Sequence, residues 1–247
     1  IMIGEIFTIF FLTLGNYLNY IDRSITFTIL PEIGVEFNMT KTEQGYLASS
    51  FLVGYVIFSI VFCILAHKIK TSILVGIGCC VWTISCLLMF FANKPLLFIA
   101  RILSGVGEAA YQSLIPAFIE NNFNKNWTPI CLAIFFSGMY VGSSLGIIFG
   151  GIGKKLWRYM YLIQMGIMFL NIIFLFIYSR FEKFKKTPLK FNELKIVFKD
   201  IFLNKLWWSV TIAYSLFNFT SGAVNTWLPS FIIDKFPDQD FKKNEIE

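Results

Sequence analysis

The chain has 247 residues, of which 56% are hydrophobic and only 15% are charged. A soluble domain is about 25% charged, so this composition excludes an ordinary soluble protein and predicts an all-α membrane protein with several spans. The net charge of +6 does not indicate a nucleic-acid partner, because basic residues gather at the cytoplasmic ends of membrane helices. All five cysteines lie in apolar stretches, and we interpret them as reduced hydrophobic residues rather than as disulfides or metal ligands.

Runs of about 20 mostly apolar residues, the length that crosses a bilayer, occur seven times. The predicted spans are 6–30, 43–66, 72–92, 95–119, 129–151, 156–179 and 206–233. Most connections are only a few residues long, so consecutive helices are expected to pack as antiparallel neighbours. The chain begins with Ile1 and shows no signal-peptide pattern, and we expect it to be part of a longer polypeptide.

The domain organisation follows from one long basic connection. Residues 1–179 are predicted to form an N-terminal six-helix bundle, and residues 206–247 to contain the first helix of a second, truncated bundle and an outer segment. The connection 180–205 is rich in Lys and Arg, which places it and the N-terminus in the cytoplasm by the positive-inside rule. Within it, residues 193–204 put their apolar side chains on one helical face, which predicts a helix on the membrane surface. A complete seven-helix receptor is the alternative pattern, and the lack of Cys in the outer connections disfavours it.

Three of the charged residues inside otherwise apolar spans are the main candidates for function. Arg101 and Glu108 are seven residues apart, so they share one face of span four, and Asp22 lies in span one. A charge inside the bilayer is costly unless it is paired or faces a water-filled cavity, so such residues are functional candidates. Counting along the helices puts Asp22 at a depth between Arg101 and Glu108.

If these two helices face each other, one cation and two carboxylates form a buried cluster. Two carboxylates that share one arginine in a low dielectric cannot both stay ionised without cost, so one is expected to take up a proton near neutrality. A proton-coupling site has this requirement, which favours Asp22 and Glu108 for that role. A static salt bridge that fixes helix packing is the alternative.

Span five carries a stripe of small residues. Gly138, Gly142, Gly146 and Gly150 recur at every fourth position. Such a stripe is typical of close contact between membrane helices. We therefore predict tight packing of span five, and a surface that slides during transport is compatible with it.

Other motifs exclude several classes of protein. No P-loop occurs and His67 is the only histidine, which excludes an ATP-driven pump and the usual zinc-hydrolase clusters. Residues 105–110 match a dinucleotide-binding glycine pattern, but no strand precedes them and they lie in the middle of a span. We therefore expect no enzyme activity, no cofactor and no metal site.

Several strings resemble the major facilitator superfamily and, within it, the Spinster-like branch. They are residues 16–23 (NYLNYIDR), 30–33 (LPEI), 44–45 (QG), 101–111 (RILSGVGEAAY), 115–117 (IPA), 142–146 (GSSLG) and 227–231 (WLPSF). The resemblance implies a twelve-helix carrier that works by alternating access. Members of this branch move lysophospholipids or sphingoid phosphates, several of them with protons, often across late-endosomal or lysosomal membranes.

The resemblance also implies roles for individual residues. By position, Asp22 and Glu108 would be protonation sites, and Arg101 would pair with a carboxylate or with a phosphate headgroup. Asn19, Tyr20 and Arg23 stand in the same motif of span one as Asp22 and are further candidates for substrate contact or charge pairing. Arginine suits phosphate because its planar fork donates two parallel hydrogen bonds.

One motif departs from the superfamily pattern. In the connection between spans two and three, Cys63 and His67 replace the usual gating glycine and aspartate, and Lys68 keeps its charge. The latch that this aspartate makes with a neighbouring helix is therefore expected to be weak or absent. This departure supports, as an alternative, a receptor or scaffold of the same fold that does not transport.

The sequence thus predicts a proton-coupled secondary transporter for an amphipathic anion such as a lysophospholipid. A carrier of small organic anions or sugar phosphates is the second transport hypothesis. The expected partners are the substrate, protons and the lipid bilayer. The expected location is an internal, endolysosomal-type membrane rather than the plasma membrane.

Overall fold

The computed structural model describes residues 3–182 and 199–235, and all regular structure in these ranges is helical. The first compact unit contains the helices α1 (Ile3–Glu36), α2 (Lys41–Leu65), α3 (Thr71–Phe90), α4 (Lys94–Asn122), α5 (Thr128–Ile152) and α6 (Trp157–Tyr178). A short 3-10 helix, Lys154–Leu156, precedes α6. The second unit contains α7 (Lys205–Lys235). The predicted all-helical bundle followed by a further helix is confirmed.

In the second unit, the first described residues, 199–203, are helical. They belong to the predicted surface helix 193–204, whose first part lies outside the described residues. In α7, large apolar side chains occur at consecutive positions such as Leu206, Trp207 and Trp208. A helix that is apolar on all sides is typical of a membrane span.

Local signals explain where the helices of the first unit begin. At the start of α2, the Thr40 hydroxyl accepts a hydrogen bond from the Glu43 amide, and the Glu43 carboxylate accepts one from the Thr40 amide. At the start of α4, the Asn93 side chain accepts from the Leu96 amide. These caps satisfy backbone donors that a helix cannot pair internally.

Four described helices are long and apolar enough to cross a membrane, by length and composition only: α2, α3, α5, and α6 with the short helix before it. Helix α7, which corresponds to the predicted span 206–233, is not among these four. Helices α1 and α4 were also predicted as spans. Their charged and polar residues, including Asp22 and Arg101, lower their hydropathy, and both of these side chains are buried inside the bundle. Intramembrane charges face the bundle interior, as expected for spans of this kind.

The expectation that consecutive helices pack together is wrong for most pairs. The most extensive contacts join α1 to α5, α2 to α4, α3 to α4 and α3 to α6. In the α1–α5 pair, Gly138 lies against Asn16 and Gly150 against Thr28, so these two helices run parallel. A short connection therefore does not make two helices neighbours. In the α1–α5 pair, the close contact follows the face of small residues instead.

The glycine stripe of α5 lies along α1 at backbone distance. A methyl group built on Gly142 would lie 2.8 Å from the Tyr17 carbonyl oxygen, and one on Gly146 would lie 2.7 Å from the Ile21 carbonyl oxygen. Both distances are far shorter than a van der Waals contact. Any side chain at these positions therefore pushes α1 away from α5.

Helix α4 occupies the centre of the first unit. Every residue from Ser104 to Tyr111 is buried, and α4 contacts α1, α2, α3 and α5. Small residues allow this crowding, since a methyl group on Gly105 would meet the backbone of Phe51 in α2, and one on Gly107 would meet Trp82 in α3.

We expect Gly142→Ala to lower the free energy of unfolding by about 1–3 kcal/mol, because the added methyl group overpacks the α1–α5 contact. Gly151→Ala in the same helix is the matched control, since nothing lies within 4 Å of a methyl group there. The control is expected to stabilise slightly, because alanine favours a helix over glycine. Thermal unfolding of the full-length protein in detergent measures both. Equal effects of the two substitutions would contradict the tight packing.

Candidate functional site

Helices α1 and α4 meet through two buried ion pairs. The Arg101 Nη1 donates to Asp22 Oδ2 at 2.9 Å, and the Arg23 Nε donates to Glu108 Oε2 at 2.7 Å. The sequence predicted one arginine for two carboxylates, whereas the structure gives each carboxylate its own arginine. The cluster, called here the charge network, is therefore formally neutral.

Ser104 joins the two halves of the charge network. Its hydroxyl lies 3.2 Å from Asp22 Oδ2 and 3.1 Å from Glu108 Oε1. A hydroxyl has one hydrogen to donate, so it cannot satisfy both carboxylates when both are ionised. When one carboxyl group carries a proton, that group donates to Ser104 and Ser104 donates to the other. The geometry thus accommodates one proton on two carboxylates.

The two arginines differ in exposure. The Arg101 side chain is 1% exposed, whereas that of Arg23 is 21% exposed. The Arg23 guanidinium lies 5.3, 4.5 and 5.2 Å from the ring centres of Tyr20, Phe51 and Tyr55, respectively. Aromatic rings at these distances attract a cation. Arg23 is thus the member of the charge network that solvent or a ligand reaches most easily.

One aromatic ring contacts both arginines. Phe51 of α2 lies 4.5 Å from the Arg23 guanidinium carbon and 5.5 Å from that of Arg101, measured to the ring centre. Through this ring α2 contacts both cations of the charge network.

The polar face of α1 continues beyond Asp22. The Thr26 hydroxyl donates to the Asp22 carbonyl oxygen at 2.9 Å and lies 2.8 Å from the Tyr161 hydroxyl of α6. Asn19 is fully buried, and neither polar atom of its side chain has a hydrogen-bond partner among the described residues. The structure brings Asp22, Arg101, Glu108 and Arg23 into one cluster, with Tyr20 at its edge and Asn19 without a hydrogen bond to it.

Sequence reasoning missed two residues that complete this site. Ser104 was noted only as a small residue, although its place between Arg101 and Glu108 on one helix face was a usable signal. Tyr161 gave no signal, since one tyrosine in an apolar span is unremarkable.

The connection between α2 and α3 holds the two motif residues that depart from the superfamily pattern. The His67 Nδ1 lies 3.1 Å from the Cys63 carbonyl oxygen, and Lys68 is exposed. Two other residues, Glu182 and Lys70, link the start of α3 to the end of α6. The Glu182 carboxylate accepts hydrogen bonds from the Thr71 and Ser72 amides at the start of α3.

Lys70 completes this junction by donating to the Ser179 carbonyl oxygen at the end of α6, at 2.6 Å. A carboxylate on a helix N-terminus and an ammonium on a C-terminus both suit the helix dipole. The junction links α3 to α6 within the first unit.

One groove among the described residues lies away from the charge network. It has a volume of about 800 Å³ and is bordered by aromatic side chains of α1 and α6, including Phe7, Phe11, Phe174 and Tyr178. It contains none of the four charged residues of the network. The candidate site is therefore defined by charge rather than by this groove.

Comparison with known proteins identifies the family. The sequence pattern of the Major Facilitator Superfamily matches residues 12–237. The chain belongs to the Major Facilitator Superfamily. Homologues in this superfamily are transporters rather than enzymes, as the absence of an enzyme motif in the sequence predicted.

The predicted resemblance to the Spinster-like branch is confirmed. The sphingosine-1-phosphate transporter SPNS2 of Danio rerio is 26% identical over 234 residues, which cover 90% of this chain and 46% of that protein. Protein spinster of Drosophila melanogaster is 28% identical over 233 residues, which cover 92% of this chain and 38% of that protein. The chain thus spans about half the length, or less, of these relatives.

A crystal structure has the same fold. A bacterial homolog to the human lysosomal transporter Spinster, in an inward-facing and unoccupied conformation, aligns with a TM-score of 0.79 and 17% identity. The alignment covers 94% of this chain and 56% of that chain. This similarity confirms the predicted superfamily fold.

We expect Arg101→Met to lower the free energy of unfolding by about 3–5 kcal/mol, because it leaves Asp22 buried without its cation. The double variant Arg101→Met with Asp22→Leu should recover most of this loss, since it leaves no unpaired charge. Chemical unfolding of the full-length protein gives the values for a double-mutant cycle. Lys94→Met, which breaks the exposed pair of Lys94 with Glu43, is the control and should have no measurable effect. Additive losses at Arg101 and Asp22 would contradict the pairing.

Proposed function

We propose that this protein is the N-terminal part of an alternating-access carrier that couples the movement of an amphipathic anion to protons. The observation that carries the proposal is the Ser104 bridge between Asp22 and Glu108. A serine placed between two buried carboxylates is fully hydrogen-bonded only when one of them holds a proton. The charge network therefore has a protonated and an ionised state with different hydrogen bonding.

The substrate is proposed to act on the network through Arg23. The Arg23 side chain is 21% exposed, and the Glu108 side chain that it pairs with is fully buried. An anion that binds Arg23 competes with Glu108 for the same cation. Glu108, deprived of its partner in a low dielectric, then takes up a proton. Anion and proton binding thereby support each other, which is the requirement for symport.

The substrate class is proposed to be a single-chain phospholipid such as a lysophospholipid. An arginine fork suits a phosphate group, and the rings of Tyr20, Phe51 and Tyr55 around Arg23 offer apolar contact next to it. The relatives named as sphingosine-1-phosphate transporters act on a molecule that also joins a phosphate to one long chain. Small organic anions or sugar phosphates are the alternative, and they lack that chain.

The membrane arrangement is part of the same proposal. The connection 180–205 is proposed to be cytoplasmic because Lys and Arg concentrate in it, and the N-terminus, an even number of spans away, is proposed to lie on the same side. Residues 1–179 are proposed to act as one bundle, and the helix within 206–247 to begin a second one. An internal membrane is the proposed location.

We expect the full-length protein in proteoliposomes to move a labelled lysophospholipid faster when a pH gradient is applied. Glu108→Gln and Asp22→Asn should each reduce gradient-driven flux at least about tenfold, because neither amide takes up a proton; a tenfold change corresponds to about 1.4 kcal/mol. Glu108→Gln should retain exchange of substrate for substrate, which needs no net protonation. Glu120→Gln, on the exposed face of α4, is the control.

Two results of this assay would count against the proposal. Flux that does not depend on the pH gradient and is unchanged in both variants would show that Asp22 and Glu108 serve packing rather than proton coupling. Flux of a sugar phosphate without flux of the lysophospholipid would replace the lipid by the small-anion alternative. A wild-type protein that moves neither compound would favour a receptor or scaffold, which the altered motif at Cys63 and His67 also suggests.

A second prediction tests the headgroup contact. Arg23→Gln should weaken binding of a lysophospholipid about tenfold or more, because a charge-assisted hydrogen bond contributes about 1.5–3 kcal/mol. Binding of an uncharged monoacylglycerol with the same chain should change little. Isothermal titration in detergent measures both ligands. Equal losses for the two ligands would show that Arg23 acts on the fold rather than on the phosphate.

A further inference from the structure

Several buried side chains around the charge network have polar atoms without hydrogen-bond partners among the described residues. Asn19 and Gln164 leave both carboxamide atoms unpaired, Arg101 leaves Nε and Nη2, and Trp82 leaves Nε1. Each of these side chains is at most 4% exposed. An unpaired buried polar group costs about 1–3 kcal/mol, so seven such atoms in one region require an explanation.

The packing of α1 against α6 brings Gln164 to the level of Asp22. The Thr26–Tyr161 hydrogen bond fixes the register, and the Asn171 amide, which donates to the Phe11 carbonyl oxygen, shows that the two helices run antiparallel. Gln164 lies about 4.5 Å along the axis from Tyr161, and Asp22 lies about 6 Å from Thr26 in the same direction. Asn19 follows one turn beyond Asp22.

The packing of α3 against α4 brings Trp82 to the same level. The Ser85 hydroxyl donates to the Ala100 carbonyl oxygen at 2.7 Å, and Gly107 packs directly against Trp82. This antiparallel register places Trp82 level with Gly107, the neighbour of Glu108 in sequence. One turn along α3, Cys86 comes close to Asp22, Arg101 and Glu108.

Four helices close around this region. Helix α1 contacts α4, α4 contacts α3, α3 contacts α6, and α6 contacts α1. Helix α2, which carries Phe51, contacts α4 from outside this ring. Seven unpaired atoms belong to Asn19, Trp82, Arg101 and Gln164 on these four helices, whereas one further unpaired atom, Arg23 Nη2, belongs to the guanidinium beside the α2 aromatic rings.

We propose that α1, α3, α4 and α6 enclose a site for ordered water molecules that hydrogen-bond to Asn19, Gln164 and the unpaired donors of Arg101. Water fits because it both donates and accepts, and a buried water makes about three hydrogen bonds. An anion would leave the two carboxamide oxygens unpaired, and a metal ion would face the guanidinium of Arg101. The titratable and charged groups that border the site are Asp22, Cys86, Arg101, Glu108 and Tyr161.

The water site gives Asp22 a hydrated side that is separate from the substrate side. A proton reaches or leaves the network through these waters while an anion occupies Arg23. This role rests on the proposed function, whereas the presence of water does not.

Radiolytic footprinting of the full-length wild-type protein in liposomes tests the presence of water. Hydroxyl radicals that form from bound water oxidise the side chains next to it. We expect Tyr161 and Trp82 to be oxidised several-fold faster than Tyr111 and Phe135. These controls are just as buried, and the Tyr111 hydroxyl is already hydrogen-bonded to backbone carbonyl oxygens of α1. Equally slow oxidation of all four overturns the proposal, whatever the transport assay shows.

Gln164→Met provides an independent test, because methionine keeps the length of the side chain and removes both polar atoms. In a dry site this change removes two unpaired groups and raises the unfolding midpoint, which would overturn the proposal. In a hydrated site the midpoint falls or stays the same, gradient-driven flux slows and substrate exchange persists. Gln44→Met is the matched control, since Gln44 is buried with one unpaired oxygen but lies near the start of α2. It should leave flux unchanged.

Discussion

The cost of an unpaired charge in a low dielectric governs the arrangement of the first unit. Asp22 and Arg101 are almost completely buried, so α1 and α4 must stay close enough to keep their 2.9 Å hydrogen bond. Crowding four other helices around α4 is possible only because α4 carries small residues such as Gly105 and Gly107 at the contacts. These glycines, which lie between Arg101 and Glu108 in sequence, let α2 and α3 approach α4 at backbone distance beside its charged residues.

The second ion pair has a different character from the first. Arg23 is anchored to Glu108 but keeps part of its side chain exposed, and three aromatic rings surround it. The network therefore combines an enclosed pair, Asp22 with Arg101, and a second pair, Glu108 with Arg23, in which the arginine side chain is 21% exposed.

Much of the fold could be predicted because apolar run length determines membrane helices so strongly. The predicted span 43–66 corresponds to the helix Lys41–Leu65. Most boundaries of the other predicted spans also agree with the helix ends to within a few residues. The predicted span 6–30 stops six residues before the end of α1. The helix continues through Pro31 to Glu36. Helix neighbours were predicted wrongly, because connection length does not encode which small-residue faces fit together.

The candidate site was predicted in part for a similar reason. The depth of Asp22, Arg101 and Glu108 follows from counting residues, so their proximity could be anticipated. The pairing of Arg23 with Glu108 could not, because it depends on the rotation of α1 about its axis, which a count does not fix. The role of Tyr161 depends on the packing of α6 against α1, and nothing local to its own span encodes that contact.

Phe51 makes both ion pairs sensitive to one uncharged position. Its ring centre lies 4.5 Å from the guanidinium carbon of Arg23 on α1 and 5.5 Å from that of Arg101 on α4. A substitution at position 51 therefore changes the surroundings of both cations at once. A smaller side chain leaves a gap beside both of them, although the position carries no charge itself.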